Sequence, residues 1–294
     1  MKKDSQPVKL NLGAGPIWQK NGWHALDHKL KKSEGGRIAG DATNMDLPDE
    51  SCSVVFCSHV FEHIPHVRLP IVIAEINRVL IPGGILRLLT PDLELLANAY
   101  VKRDAAFFEK AKEEDESLRT DLGYGGMLVN FIVSPGQDTV LLDRGMQNFI
   151  AGYAHLYSYD YEMLAIMLSR IGFVSARSQF NGSRVEELRE PLHVVGHPPV
   201  WETLNQKYYR NHGLVHKLVD GKYQINFTLT GFDRDPLTSL IIEAEKKGDV
   251  SKQEAHNSFN LATVNYNRYA FSLLTDETFR NRLDEFKIRT EWNF

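Results

Sequence analysis

The stretch Lys9-Leu-Asn-Leu-Gly-Ala-Gly-Pro16 constrains this chain most, because a largely apolar run stops there in Gly13-Ala14-Gly15. Such a run reads as a strand that delivers its backbone into a side-chain-free turn, where a ligand can approach closely. Three more short apolar runs follow. They end at Asp27, at Gly40-Asp41 and at Ser58. Successive strand ends carrying Gly, Asp and Asp suit a nucleoside, with an open turn for its polar tail, one carboxylate for the ribose hydroxyls and another for the base. Runs at 8–12, 24–27, 36–40, 53–58 and 84–90, separated by polar connections, predict an α/β fold with a doubly wound, mostly parallel sheet.

A dinucleotide site would need Gly-x-Gly-x-x-Gly, and the third glycine position is Trp18. The connection from Gly15 to Asp27 opens with Pro16 and barely accommodates a crossover helix, so a pyrophosphate would lack its helix N-terminus. The residues instead resemble the class I S-adenosylmethionine-dependent methyltransferases, and most closely their type-11 group. Asn11-Leu-Gly13-Ala14-Gly15 is similar to the family's first motif, Asp27 to the acidic end of the second strand, and Gly40-Asp41-Ala42 to the adenine-side motif. Ser58-His59-Val-Phe-Glu62-His63 is similar to the motif after strand four, and Arg78-Val-Leu-Ile-Pro82-Gly83-Gly84 to the turn before strand five.

The resemblance covers about residues 8–100 and returns at 157–173 and 235–243. It implies a seven-stranded Rossmann-like methyltransferase sheet and S-adenosylmethionine as cofactor, held by Asn11, Gly13, Ala14, Gly15, Asp27, Asp41, Ala42, Ser58 and His59. It implies methyl transfer to a small polar, sugar-like acceptor. Other chemistry on the same cofactor, or a non-catalytic cofactor-binding scaffold, are the alternatives that a shared fold leaves open. Two positions depart from the family: Asn11 replaces an acidic residue and so brings no negative charge to the methionyl ammonium, and Ile17 replaces a glycine.

The formal charge of −4 provides no basic footprint, so nucleic acid is not expected as a partner. Without an apolar leader or membrane-length apolar run, a cytoplasmic protein acting on a small molecule is the expectation. Cys52 and Cys57 suit neither a disulfide framework nor a CxxC metal pair and read as core residues.

Helical spacing predicts helices over 69–80, over about 92–111 and over 161–171, with strands at 173–180 and 238–244, the last antiparallel. Two insertions interrupt the core of residues 1–248: a substrate lid at about 112–156, and 181–236, where Asp220-Gly221 between alternating runs predicts a two-residue hairpin. Residues 249–294 read as a helical appendage, with Phe279, Leu283 and Phe286 on one face. The insertion or this tail could also seat a second copy of the chain.

Methyl transfer to a hydroxyl requires a positioned acceptor and a proton acceptor. The lid end carries His155, Tyr157 and Tyr159, which are the expected catalytic residues beside Asp160, with packing as the alternative role. His59 and His63 lie four apart, yet the metalloprotease pattern is absent and no metal site is expected. The pairs His193/His197 and His212/His216 repeat that spacing, but Pro198-Pro199 and Gly213 argue against helices that would align them. Trp201, Tyr208, Tyr209 and Arg210 could stack on an acceptor or simply pack.

Overall fold

The computed structural model describes residues 6–15, 18, 20–114, 122–133, 155–180, 182–189, 192–195, 215–217, 223–227, 232, 233, 235 and 237–259. Six strands come first: β1 (Val8–Leu12), β2 (Trp23–Asp27), β3 (Arg37–Ala39), β4 (Cys52–Ser58), β5 (Leu80–Pro91) and β6 (Phe173–Arg177). Four follow: β7 (Leu192–Val195), β8 (Val215–Lys217), β9 (Tyr223–Phe227) and β10 (Ser239–Lys246). Seven form one sheet in the order β3-β2-β1-β4-β5-β10-β6. The first five run parallel, and β10 is antiparallel to both β5 and β6. The order reverses between β1 and β4, and it is outside the carboxyl ends of strands at such a switch that open α/β sheets bind ligands. The strands begin and end within a few residues of the sequence expectation, with β1, β2 and β3 bounded by Gly, Pro or Asp, while β5 starts before Pro82-Gly83-Gly84 rather than after it.

The sheet is covered on both faces, as a parallel sheet must be. One cluster gathers Leu10, Leu12, Val55, Cys57, Leu86 and Leu88 against Ile73, Ile76 and Val79 of α1 (Leu69–Val79). The opposite face buries Trp18, Trp23, Phe56, Leu89 and Phe232. Cys52 and Cys57 are free and buried, and burial pushes the Cys52 thiol up to about 11.

Two expectations are corrected. The single helix over 92–111 is two, α2 (Leu93–Lys102) and α3 (Ala105–Glu114). Arg103 takes a left-handed φ of 53° that ends α2, and Asp104 Oδ1 accepts the Phe107 amide at 3.0 Å to start α3. The hairpin forms, with β9 pairing antiparallel to β7 and β8, but a two-residue Asp220-Gly221 turn would set Lys217 opposite Gln224. Lys217 instead faces Tyr223.

Among the described residues the other α-helices are α4 (Gly123–Val133), α5 (Tyr161–Arg170) and α6, residues 252–259. Asp160 caps α5 by accepting the Met163 amide at 2.8 Å. A buried cation ties the end of the second insertion to the sheet: Arg87 on β5 is fully buried and donates to Asp233 Oδ1 at 2.7 Å and Glu243 Oε1 at 2.9 Å. No helix among the described residues is long and apolar enough to cross a membrane. Pro16, Ile17, His197, Trp201, Tyr208, Tyr209, Arg210, His212, Asp220, Gly221, Phe279, Leu283, Phe286 and most of the lid lie outside the described residues.

Candidate functional site

A cavity of about 370 Å³ opens at the carboxyl ends of β1, β2 and β4, a size suited to a small-molecule ligand. The glycine turn forms its floor. Gly13 and Ala14 donate their amides to Leu26 O at 2.8 and 3.3 Å, and Gly15 donates to Asp27 Oδ2 at 2.8 Å. These amides are therefore occupied, and the turn's contribution is clearance. Gly13 has φ +72°, and a Cβ there would lie 2.3 Å from Val60 Cγ2. At Gly15, with φ +74°, a Cβ would meet nothing within 4 Å.

Asp27 is buried at the end of β2, and its Oδ1 accepts the Lys29 amide at 2.7 Å. Each of its oxygens has accepted one hydrogen bond and retains capacity for a second, as pairing with vicinal ribose hydroxyls requires. Asp41 sits at the rim, its Oδ1 accepting from Thr43 N at 2.8 Å and Thr43 Oγ1 at 2.7 Å. Partial burial pushes its carboxyl up, but the Thr43 hydrogen bonds and the positive charges of Arg68 and His28 outweigh that and hold it below its usual value. Leu12, Leu26, Ala42, Val60, Ile64 and Val72 make the apolar wall. An open glycine turn, a carboxylate with spare acceptor capacity and an apolar slot fit S-adenosylmethionine. Gly13, Gly15, Asp27, Asp41, Ala42 and His59 line the cavity; Asn11, Ala14 and Ser58 do not line it. Asn11 is buried within β1, and Ala14 packs toward the opposite core.

The far wall of the cavity is built by the turn after β4. His59 has φ +52°, a costly conformation for a side-chain-bearing residue, and such strain concentrates at functional sites. It is held on both sides: Nε2 lies 3.1 Å from Ser239 Oγ and 3.3 Å from Asp235 Oδ2, and Nδ1 lies 3.0 Å from Glu62 Oε1. A short 3₁₀ turn, Phe61–His63, buries the Glu62 side chain completely. Thr90 Oγ1 at the end of β5 donates to Glu62 Oε2 at 3.1 Å. Burial pushes the Glu62 carboxyl up, but the adjoining His59 and the charges of His63 and His155 hold it down at about 2. The lid end is tied in through the backbone, with Leu156 N and Tyr157 N donating to Glu62 O at 2.6 and 3.3 Å.

His155 does not line the cavity. It stands behind His63, edge to face at 4.9 Å, and its Nδ1 is 3.0 Å from Phe131 O of α4. Burial lowers its pKa, while Glu62 pulls the other way. Tyr159 is fully buried, with its hydroxyl 3.4 Å from His66 Nδ1, and burial pushes its phenol well up. Tyr157 is exposed and stacks on His66 at 4.1 Å. Neither tyrosine lines the cavity. Asp92 is occupied elsewhere: it caps α2 through Leu95 N at 3.2 Å and pairs with Arg177 at 3.1 Å. His63 also lines the cavity, although the sequence singled it out only in the motif after strand four and by its spacing from His59.

Residues 23–88 match the sequence model of the methyltransferase domain family. The chain carries a class I S-adenosylmethionine-dependent methyltransferase domain. Its cofactor is S-adenosylmethionine, and its chemistry is methyl transfer. The match runs from β2 to within β5, and the Rossmann-like seven-stranded sheet extends it on both sides. Similar solved structures include the YcgJ protein of Bacillus subtilis, at 12% identity and TM-score 0.37 over 83% of this chain and 93% of that one. An S-adenosylmethionine-dependent methyltransferase from Archaeoglobus fulgidus aligns at 15% identity and TM-score 0.37 over 82% and 86%. Another, from Mesorhizobium loti, aligns at 12% and 0.39 over 82% and 91%. At these scores the assignment rests on the domain match and the strand order. A comparison with curated proteins finds no match.

Proposed function

We propose that the chain methylates a hydroxyl of a small polar, sugar-like acceptor bound against His59 and His63. The observation that carries this reading is the wall itself: a buried carboxylate, Glu62, surrounded by three imidazoles, two of which line the cofactor cavity. An alcohol oxygen is a poor nucleophile until its proton leaves, and a wall of imidazoles is suited to managing that proton. A thiol, with a pKa of about 8.5, or an amine already in its neutral form depends on such a group far less. When bound, S-adenosylmethionine supplies a methyl on a sulfonium, so the C–O bond forms as the C–S bond breaks and its electron pair returns to sulfur. Gly15 gives the cofactor room, Asp27 holds its ribose, and the apolar wall takes its base. Ser239 and Asp235 fix His59, while His155 supports His63 from behind. Tyr157 serves by stacking on His66 and Tyr159 by bringing its hydroxyl to His66 Nδ1, and together they pack the lid end against the turn. The acceptor stays outside the nucleic acids, consistent with the charge of −4.

The test is release of S-adenosylhomocysteine by the full chain with S-adenosylmethionine and a panel of hydroxylated, amino and thiol small molecules. Turnover confined to hydroxylated acceptors is expected. Turnover with amines or thiols alone, or with none of the panel despite cofactor binding, would overturn the reading.

A further inference from the structure

We propose that Glu62, His63 and His155 form a binding site for one divalent transition-metal ion, with its open position toward the acceptor side of the cofactor cavity. The proposal rests on the function proposed above and says how that wall acts. The three side chains each offer one ligand atom, and these atoms all lie within 4.8 Å of one another. Two imidazoles and one carboxylate are the donor set of catalytic zinc sites that keep a fourth position for water or substrate. Around such an ion, bonds of about 2.1 Å set ligand atoms roughly 3.4 Å apart, a spacing that rotamer adjustment of these side chains can reach.

The surroundings are those of a ligand set. Metal-bound imidazoles commonly give their second ring nitrogen to a carbonyl or carboxylate, which fixes the tautomer and the ring plane. His155 does this, its Nδ1 lying 3.0 Å from Phe131 O, which leaves Nε2 as the lone-pair nitrogen. Glu62 is oriented in the same way, with Thr90 donating to Oε2 at 3.1 Å. Glu62 Oε1 is wholly buried and receives no well-aligned hydrogen bond, although His59 Nδ1 is 3.0 Å away. A buried carboxylate oxygen without an aligned donor is costly, and a cation answers that cost directly. His63 is half-buried and lines the cavity, so an ion that it binds faces the space next to the cofactor. An acceptor hydroxyl at the fourth position would become more acidic, so His63 and His155 would manage its proton as ligands of the ion rather than by accepting it, and the proton would pass to solvent. The sequence concealed the site because its two histidines are not the i, i+4 pair His59 and His63; the second comes from the lid end.

The experiment titrates Co²⁺ into the purified full chain, reading visible ligand-field absorption and stoichiometry, with S-adenosylmethionine affinity measured in the same samples. One Co²⁺ per chain is expected, with absorption strong enough for four or five ligands. Glu62→Gln, His63→Asn and His155→Asn should each weaken it 10- to 100-fold, while His256→Asn, at an exposed position of α6, leaves it unchanged. Glu62 and His155 are buried enough that their variants risk unfolding, so circular dichroism accompanies each, and the half-exposed His63→Asn carries the same test. No stoichiometric Co²⁺ binding by the native chain, or binding equally tight in a folded His63→Asn, overturns the site. Loss of S-adenosylmethionine binding with Co²⁺ retained would instead strike at the proposed function and leave the metal site standing.

Discussion

Replacing Gly13 by Ala separates two costs that Gly15→Ala does not share. Both glycines have a left-handed φ, +72° and +74°, so an added Cβ strains either backbone by about 1–2 kcal/mol. At Gly15 the new methyl meets nothing within 4 Å, and the strain is the whole expected loss of stability. At Gly13 it would stand 2.3 Å from Val60 Cγ2, well inside van der Waals contact, and overpacking of this kind adds about 1–3 kcal/mol. Gly13→Ala should therefore cost about 2–5 kcal/mol, and Gly15→Ala about 1–2. Val60→Ala alone loses two half-buried methyls, about 1–2 kcal/mol. Placed on Gly13→Ala it removes the clash, so the pair should be less damaging than the sum of its parts by about 1–3 kcal/mol. Urea denaturation of the four variants with a common m-value measures this. Equal losses at Gly13 and Gly15, or strictly additive behaviour of Gly13→Ala with Val60→Ala, would refute the close approach of the glycine turn to the β4 end.

Asp27→Ala should weaken S-adenosylmethionine binding more than tenfold by calorimetric titration, because the carboxylate's hydrogen bonds to ribose are worth about 1.5–3 kcal/mol. It should also lower the melting midpoint, since the amides of Gly15 and Lys29 lose their acceptor. Glu75 is buried on α1, where burial raises its carboxyl but Arg78, Lys252 and the Met45 amide hold it below its usual value of 4.5. Its ionised form thus stabilises the fold at neutral pH, an advantage that fades as pH falls below about 4.5 through the lower folded pKa. Native protein should be more stable than Glu75→Gln at pH 7, with the gap closing in acid; a gap that widens in acid contradicts the assignment.

The sheet was legible because each strand carries its signal locally: an apolar run, then Gly or Asp where the chain turns. β1 and its glycine turn, and Asp27 and Asp41 at their strand ends, needed no knowledge of distant residues. The interruption at Arg103 was less visible, since arginine rarely adopts φ > 0 and nothing in Val101-Lys-Arg-Asp104 reads as a helix stop. Arg87 was illegible for a different reason. Within Ile85-Leu-Arg-Leu-Leu89 a lone charge suggests a solvent-facing position on an edge, yet Arg87 is fully buried because Asp233 and Glu243 arrive from much later in the chain. The histidine wall failed in the same way. His59 and His63 were noticed as a pair, but the partner that gives His63 its setting is His155, which only the folded lid end brings back.

Glu62 shows why stability alone does not account for this wall. Transferring a carboxylate out of water costs several kcal/mol even after relaxation, and neighbouring charges return that cost only with good geometry. Around Glu62 the geometry is uneven: Thr90 serves Oε2, while Oε1 has His59 near it without alignment. An apolar side chain of similar volume on the Phe61–His63 turn would bury as well, at less expense, beside Phe61 and Leu69. Thr90, the lid-end amides of Leu156 and Tyr157, and three imidazoles all converge on this one residue, and two of those imidazoles, His59 and His63, line the cavity. A buried ionisable group whose pKa is shifted by specific charge partners beside a cleft is a candidate for a functional site. On the function proposed above, the carboxylate stands at the acceptor side of the methyl-transfer centre with the lid end fastened to its backbone carbonyl, and an acceptor bound there would meet a charged, preorganised wall.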